Sequence, residues 1–105
     1  MKTGIEIITD ERNRQITKKG YNSEHDDLHD KGELALAASC YAIPEDKVFQ
    51  SFNAEGHLNF MAKMSRNMYW PFELSFWRPG KRIRELAKAG ALIAAEIDRL
   101  QRLKK

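Results

Sequence analysis

The clearest pattern lies at the C-terminal end of the chain. From Lys81 to about Arg102, apolar or small residues fall at Ile83, Leu86, Gly90, Ile93, Ile97 and Leu100. Steps of three and four residues place them on one face of a helix, so this face is read as the seam toward the core. Ala87, Ala89, Ala91, Ala94 and Ala95 make the helix thin-walled. A second segment, Glu33 to about Ala42, carries Ala35, Ala37, Ala38, Ser39 and Ala42 and stops before Pro44. Small residues let helices approach closely, so these two are expected to pack antiparallel at short distance.

Residues 5–19, "IEIITDERNRQITKK", read as a further helix, with Asp10 or Thr9 as N-cap and Ile5, Ile7 and Ile8 as an optional extended lead-in. Lys18 and Lys19 suit its C-terminal end and Gly20 its stop. Ser23 is placed to cap a new turn, with Asp26 as capping-box partner, and Gly32 divides that turn from the alanine-rich helix. Within 45–69, "DKVFQSF" and "NFMAKMSRNMYW" read as short helices around a loop at Gly56, because no convincing alternating strand is visible. "WPFELSFWRPG" reads as an ordered, aromatic-rich connection. The expected fold is all-α: one domain, a compact bundle of three to four helices with alanine-lined contacts.

Composition changes this picture little, but charge adds to it. The 105 residues hold no apolar run long enough to span a membrane, and "MKTGIEIITDERNRQ" has no secretory h-region. With one cysteine, Cys40, read as a small core residue, a cytoplasmic setting is expected. The net charge of +3 is unevenly spread: residues 1–50 hold 7 Lys/Arg against 10 Asp/Glu, and residues 51–105 hold 11 against 5. An acidic half and a basic half suit a cation together with a phosphate. A small DNA-binding module is disfavoured, since no helix is uniformly basic and the acidic turn repels phosphate.

The acidic turn holds five carboxylates and two histidines between Glu24 and Glu33. On a helix continuous from Ser23, Asp26, Asp30 and Glu33 share one face, a spacing that suits Mg²⁺; the alternative is a solvated helix start whose acids complement the dipole. His25 and His29 have the spacing of a zinc helix pair without an evident third ligand. Glu96, at the edge of the apolar seam, is the acid placed to face them, or else an i, i+3 partner of Arg99. Arg12, Arg14 and Lys18, with Tyr21 beyond them, offer a phosphate-grasping stripe or a plain salt-bridged surface. Trp70, Trp77, Arg78 and Arg82 combine rings and cations as a nucleotide site does, and the rings equally suit a lid over helix ends.

"ERNRQITKKGYNSEHDDLHDKGELALAASCYA" and "YWPFELSFWRPGKRIRELAKAGALIAAEIDRL" together resemble a set of small phage and prophage proteins, over residues 10–43 and 69–102. More distantly, the acidic turn leading into "GELALAA", followed by a helix with a seam-edge acid, is similar to the MazG-like all-α nucleoside triphosphate pyrophosphohydrolases. That resemblance implies Mg²⁺-dependent hydrolysis of a nucleotide's phosphate chain. Glu33 and Glu96 would be the catalytic acids, and Asp26 and Asp30 would join them on the metal. The group's E-E-x-x-E is here reduced to Asp30-x-x-Glu33, and its E-x-x-D to Glu96 with Arg99 in place of the second acid. The competing reading is a non-catalytic phage accessory protein, a homo-oligomer in the bacterial host's cytoplasm. It would bind a nucleotide or signalling nucleotide, or block a host defence protein.

Overall fold

The computed structural model describes residues 1–44, 48–52, 58–63, 66–67 and 69–103. Four α-helices form the body: α1 (Gly4–Lys18), α2 (Ser23–Asp27), α3 (Glu33–Ala42) and α4 (Arg82–Leu103). The all-α reading therefore holds for the body, with one addition. Val48–Phe52 (β1) and Leu58–Lys63 (β2) pair as an antiparallel hairpin, Val48 opposite Lys63, with an irregularity between Ser51 and Phe52. The helical reading of "DKVFQSF" and "NFMAKMSRNMYW" is thus corrected where β1 and β2 lie. β1 is short with Val48, Phe49 and Phe52 as its strand formers, and β2 holds only Phe60 beside the helix formers Leu, Met, Ala and Lys, so the strand signal is weak. The loop reading at Gly56 falls outside the described residues.

α1 starts earlier than expected. Thr3 and Glu6 form a capping box: Glu6 N donates to Thr3 Oγ1 at 3.2 Å, and Thr3 N donates to Glu6 Oε1 at 2.8 Å. Those hydrogen bonds hold the Glu6 carboxyl below its usual range, the Thr3 backbone N–H contributing most. Thr9 does not cap; its hydroxyl donates to Ile5 O inside the helix. At the other end Gly20 takes a left-handed φ of +72°, and Tyr21 N donates to Gln15 O at 2.9 Å, closing the helix.

The core is the contact of α3 with α4, as the matching small faces suggest. Leu34, Ala37, Ala38 and Tyr41 meet Ala89, Leu92 and Ala95, and Trp70, Phe72 and Trp77 pack against them. The C-terminal carbonyls of α3 face the first turn of α4, the arrangement an antiparallel pair requires. Arg82 Nη1 donates to Tyr41 O and Ile43 O at 3.0 Å each, and its Nη2 donates to Ala42 O. Cys40 is buried, as read from the sequence, and burial pushes its thiol up.

The face of α4 turned inward is not the expected one. Glu85, Ala87, Ala89, Ala91, Leu92, Ala95 and Arg99 are buried, whereas Ile83, Leu86, Ile93, Ile97 and Leu100 are exposed. Contact distance decides this: the alanine face brings the backbones closest and is covered on both sides. Gly90 belongs to the contact with α1, not with α3. A Cβ built on it would lie 2.7 Å from Ile8 Cδ1 and 2.9 Å from Ile8 Cγ1.

Two substitutions separate these contacts. Ala38→Leu and Gly90→Leu are each expected to cost about 1–3 kcal/mol by overpacking. Ile8→Ala should recover part of the loss in Gly90→Leu and none of it in Ala38→Leu. Urea denaturation of the three single variants, Ile8→Ala included, and the two doubles measures the coupling.

Candidate functional site

The acidic turn does not build one continuous ligand face. α2 ends at Asp27, and Gly32 takes a φ of +83° before α3 begins, so Asp26, Asp30 and Glu33 do not follow a single helix. Asn22, not Ser23, caps α2, its side chain accepting from His25 N at 2.9 Å. Asp26 is thereby released from the cap and turns inward. Only 1% of it is exposed; Oδ2 accepts from Arg12 Nη2 at 2.8 Å, and Oδ1 stands 2.9 Å from His25 Nδ1. Arg12 also donates to Tyr21 O at 3.2 Å, tying α1 to the turn that follows it.

The acids expected to converge go to separate partners. Glu33 Oε1 accepts from Lys31 N at 2.6 Å, and Oε2 lies 3.5 Å from His29 Nδ1. Desolvation raises the Glu33 carboxyl, but the backbone N–H groups of Glu33 and Lys31 and the His29 side chain outweigh it and leave it lowered. Crowding of carboxylates, which raises such values, is not what governs it. Glu96 forms a two-pronged pair with Arg99, at 2.6 Å to Nε and 3.2 Å to Nη2, as the i, i+3 alternative supposes. Among the described residues, no group of three or more His, Cys, Asp or Glu is placed to hold a metal ion. Asp26, Glu33 and Glu96 each face a different partner.

The basic stripe on α1 also divides. Arg14 turns to Glu11 at 3.5 Å, and Glu11 is shared with Arg84 of α4 at 3.3 Å. A groove of about 470 Å³ opens there, where Lys2, Arg14, Lys81 and Arg84 stand against Asp10 and Glu11. Lys18 is exposed.

The rings do come together. Tyr21 stacks on His25 (centroids 4.4 Å apart, planes 9°), His25 meets His29 edge-on at 4.9 Å, and His29 meets Phe72 at 5.0 Å. Phe72 continues to Trp70 at 5.6 Å, and Trp70 to Tyr41 and Trp77 at 5.4 and 5.1 Å. Cations border this series. Arg12 lies at the Tyr21 end, Lys88 lies 5.3 Å from the Tyr41 ring centroid, and Arg66 lies 5.4 Å from that of Trp77. Arg78 is exposed beside them, its backbone N donating to Tyr41 Oη at 3.1 Å. Burial pushes the Tyr41 hydroxyl up and the Lys88 ammonium down.

Glu85 is the buried group that sequence reading missed. It is fully enclosed, pairs with Arg66 at 2.9 Å and Arg82 at 3.3 Å, and accepts from Gly80 N at 3.0 Å. The signal available was Glu85 three residues after Arg82 and five after the Pro79-Gly80 step. Through these contacts it anchors the connection before α4. No family model, curated protein or solved structure matches the chain.

Desolvation raises the Glu85 carboxyl, but the Arg66 side chain, the Gly80 N–H and Arg82 outweigh it, so it lies below its usual range. A lowered carboxylate stabilises the fold above its unfolded-state pKa, and that stability is lost as pH falls through the folded-state value. Glu85→Gln leaves Arg66 buried beside a neutral amide and is expected to cost about 3–5 kcal/mol at neutral pH. Its melting temperature should then fall less steeply than wild type below the ordinary carboxylate range. Thermal melts across pH check both effects.

Proposed function

We propose that the protein is a non-catalytic binding protein for a nucleotide or another small phosphorylated ligand, seated along the ring series that runs from Tyr21 to Trp77. The observation that carries this reading is the juxtaposition of half-buried rings, Tyr21, His25, His29, Phe72 and Trp70, with the cations Arg12, Arg78 and Lys88. A nucleobase stacks on ring faces without needing a particular edge, and a phosphate is drawn to nearby cations. Water attack on a phosphate chain needs carboxylates gathered on a metal. The separate pairing of Asp26, Glu33 and Glu96 therefore favours binding over turnover. The resemblance to small phage proteins supplies the setting: an accessory factor acting in the cytoplasm of a bacterial host. No described helix is long and apolar enough to cross a membrane.

Both tryptophans of the chain, Trp70 and Trp77, lie in the series, so their fluorescence reports on it directly. Titration with ATP, ADP and inorganic pyrophosphate, with and without Mg²⁺, is expected to show quenching by the two nucleotides that does not depend on Mg²⁺. Tyr21→Leu should weaken the affinity about tenfold, the loss of one stacking partner, and Glu33→Gln and Glu96→Gln should leave it unchanged. Absence of quenching at millimolar nucleotide would remove the reading. Pyrophosphate release that Glu33→Gln abolishes would restore the hydrolase in its place.

A further inference from the structure

His25 and His29 stay together although α2 stops between them. The chain turns tightly there: Leu28 N donates to His25 O at 3.3 Å, and His29 N donates to Asp26 O at 3.0 Å. The turn sets the two imidazoles side by side, with ring centres 4.9 Å apart and planes at 68°. Each ring turns the same nitrogen to a carboxylate. His25 Nδ1 stands 2.9 Å from Asp26 Oδ1, and His29 Nδ1 stands 3.5 Å from Glu33 Oε2. A carboxylate at Nδ1 holds the ring proton there and leaves the lone pair on Nε2. The two side chains are 31% and 24% exposed, so solvent reaches the pair.

We propose that His25 and His29 hold one Zn²⁺ ion through their two Nε2 atoms. Neutral imidazole nitrogen suits zinc, whereas Mg²⁺ takes oxygen. The separation of the rings fits. A zinc ion about 2.1 Å from each nitrogen, at a tetrahedral angle, sets the two ring centres roughly 5 Å apart. Among the described residues no third such side chain converges with them. The other two positions of a tetrahedral ion therefore fall to water or to the oxygens of a small anion.

The pair is ordered before an ion arrives. Tyr21 stacks on His25 at 4.4 Å with planes 9° apart, and Phe72 meets His29 at 5.0 Å. Asp26 is fixed from behind by Arg12 at 2.8 Å, and Glu33 by Lys31 N at 2.6 Å. Supports of this kind orient a metal-binding imidazole and remove ordering entropy that binding would otherwise have to offset. Rings that served packing alone would need no carboxylate at Nδ1, and phenylalanine would stack as well. Asp26 and Glu33 act here behind the ligands, not as ligands, and Glu96 takes no part. The site shares two rings with the proposed nucleotide surface but does not rest on that reading, since the ion is titrated without nucleotide.

Calorimetric titration of the full chain with Zn²⁺, after chelator treatment, is expected to show one ion bound per chain with a micromolar dissociation constant. An excess of Mg²⁺ of about a hundredfold should not displace it. His25→Phe and His29→Phe keep a ring in each stack, and circular dichroism checks that their helices remain. Each should weaken Zn²⁺ binding at least about tenfold by removing one of two ligands. Glu33→Gln, which removes a support and no ligand, should weaken it about tenfold. No one-to-one binding to wild type at about 100 μM Zn²⁺, a concentration that would saturate a micromolar site, would overturn the site. So would binding that survives both His25→Phe and His29→Phe, or binding that His57→Ala, at the chain's third histidine, abolishes while those two do not. Unchanged affinity in Glu33→Gln would overturn its supporting part.

Discussion

Everything in this structure follows from how near α4 comes to its neighbours. α3 meets it through Ala37, Ala38, Ala89 and Ala95, and α1 meets it where Gly90 has no side chain to hold Ile8 away. Close backbones gain dispersion contacts, but each alanine removes far less apolar area from water than a leucine does. Apart from Leu34 and Leu92, which share the core with the alanines, the large residues stand at or beyond its border. Some gather at its edge as Tyr41, Trp70, Phe72 and Trp77, and others line the outer face of α4. The thin core and the exposed stripe are thus two results of one choice of packing face.

Near approach also determines how charge is handled. The buried charged residues among those described, Glu11, Asp26, Arg66, Glu85 and Arg99, each face an opposite charge. A buried pair gains little net stability over apolar packing of equal volume, while stripping one partner away is costly. What such pairs enforce is arrangement. A shift of α1 along the bundle would strand Asp26 without Arg12, and a shift of the connection before α4 would strand Glu85 without Arg66 and Gly80. Carboxylates held in this way direct lone pairs at guanidinium, imidazole or backbone N–H groups.

Local chemistry was legible where it is decided locally. Pro44 ends α3, Gly20 stops α1, Gly32 divides the acidic turn from α3, and the bounds of α3 and α4 follow from composition and period. The start of α1 was legible too, in the Thr3-x-x-Glu6 box, but the run of isoleucines that follows imitates an extended lead-in. What the sequence could not decide was which of two plausible α4 faces turns inward. Periodicity finds the face of large residues; contact with α3 and α1 selects the face of small ones. The inward turn of Asp26 was hidden for a related reason. Asn22 and Ser23 are both good caps, and the choice of Asn22 frees Asp26 to meet an arginine fourteen residues back.

The ring series extends further than closing the helix ends requires. Tyr41, Trp70, Phe72 and Trp77 already cover the α3–α4 contact, and those four belong to the core or pack against it. Beyond Phe72 the series continues into His29, His25 and Tyr21, rings with polar atoms that are only half buried. A lid made for stability alone would end in apolar side chains, since each polar ring atom withdrawn from water must be satisfied. A surface that receives a polar, planar ligand needs ring faces, nitrogen and hydroxyl groups at its edge, and a rigid apolar base beneath. The base here is Tyr41 and Trp77, stacked with their centroids 4.8 Å apart on the alanine core. On the proposed reading, the part of the series that gives the fold least is the part a ligand would use.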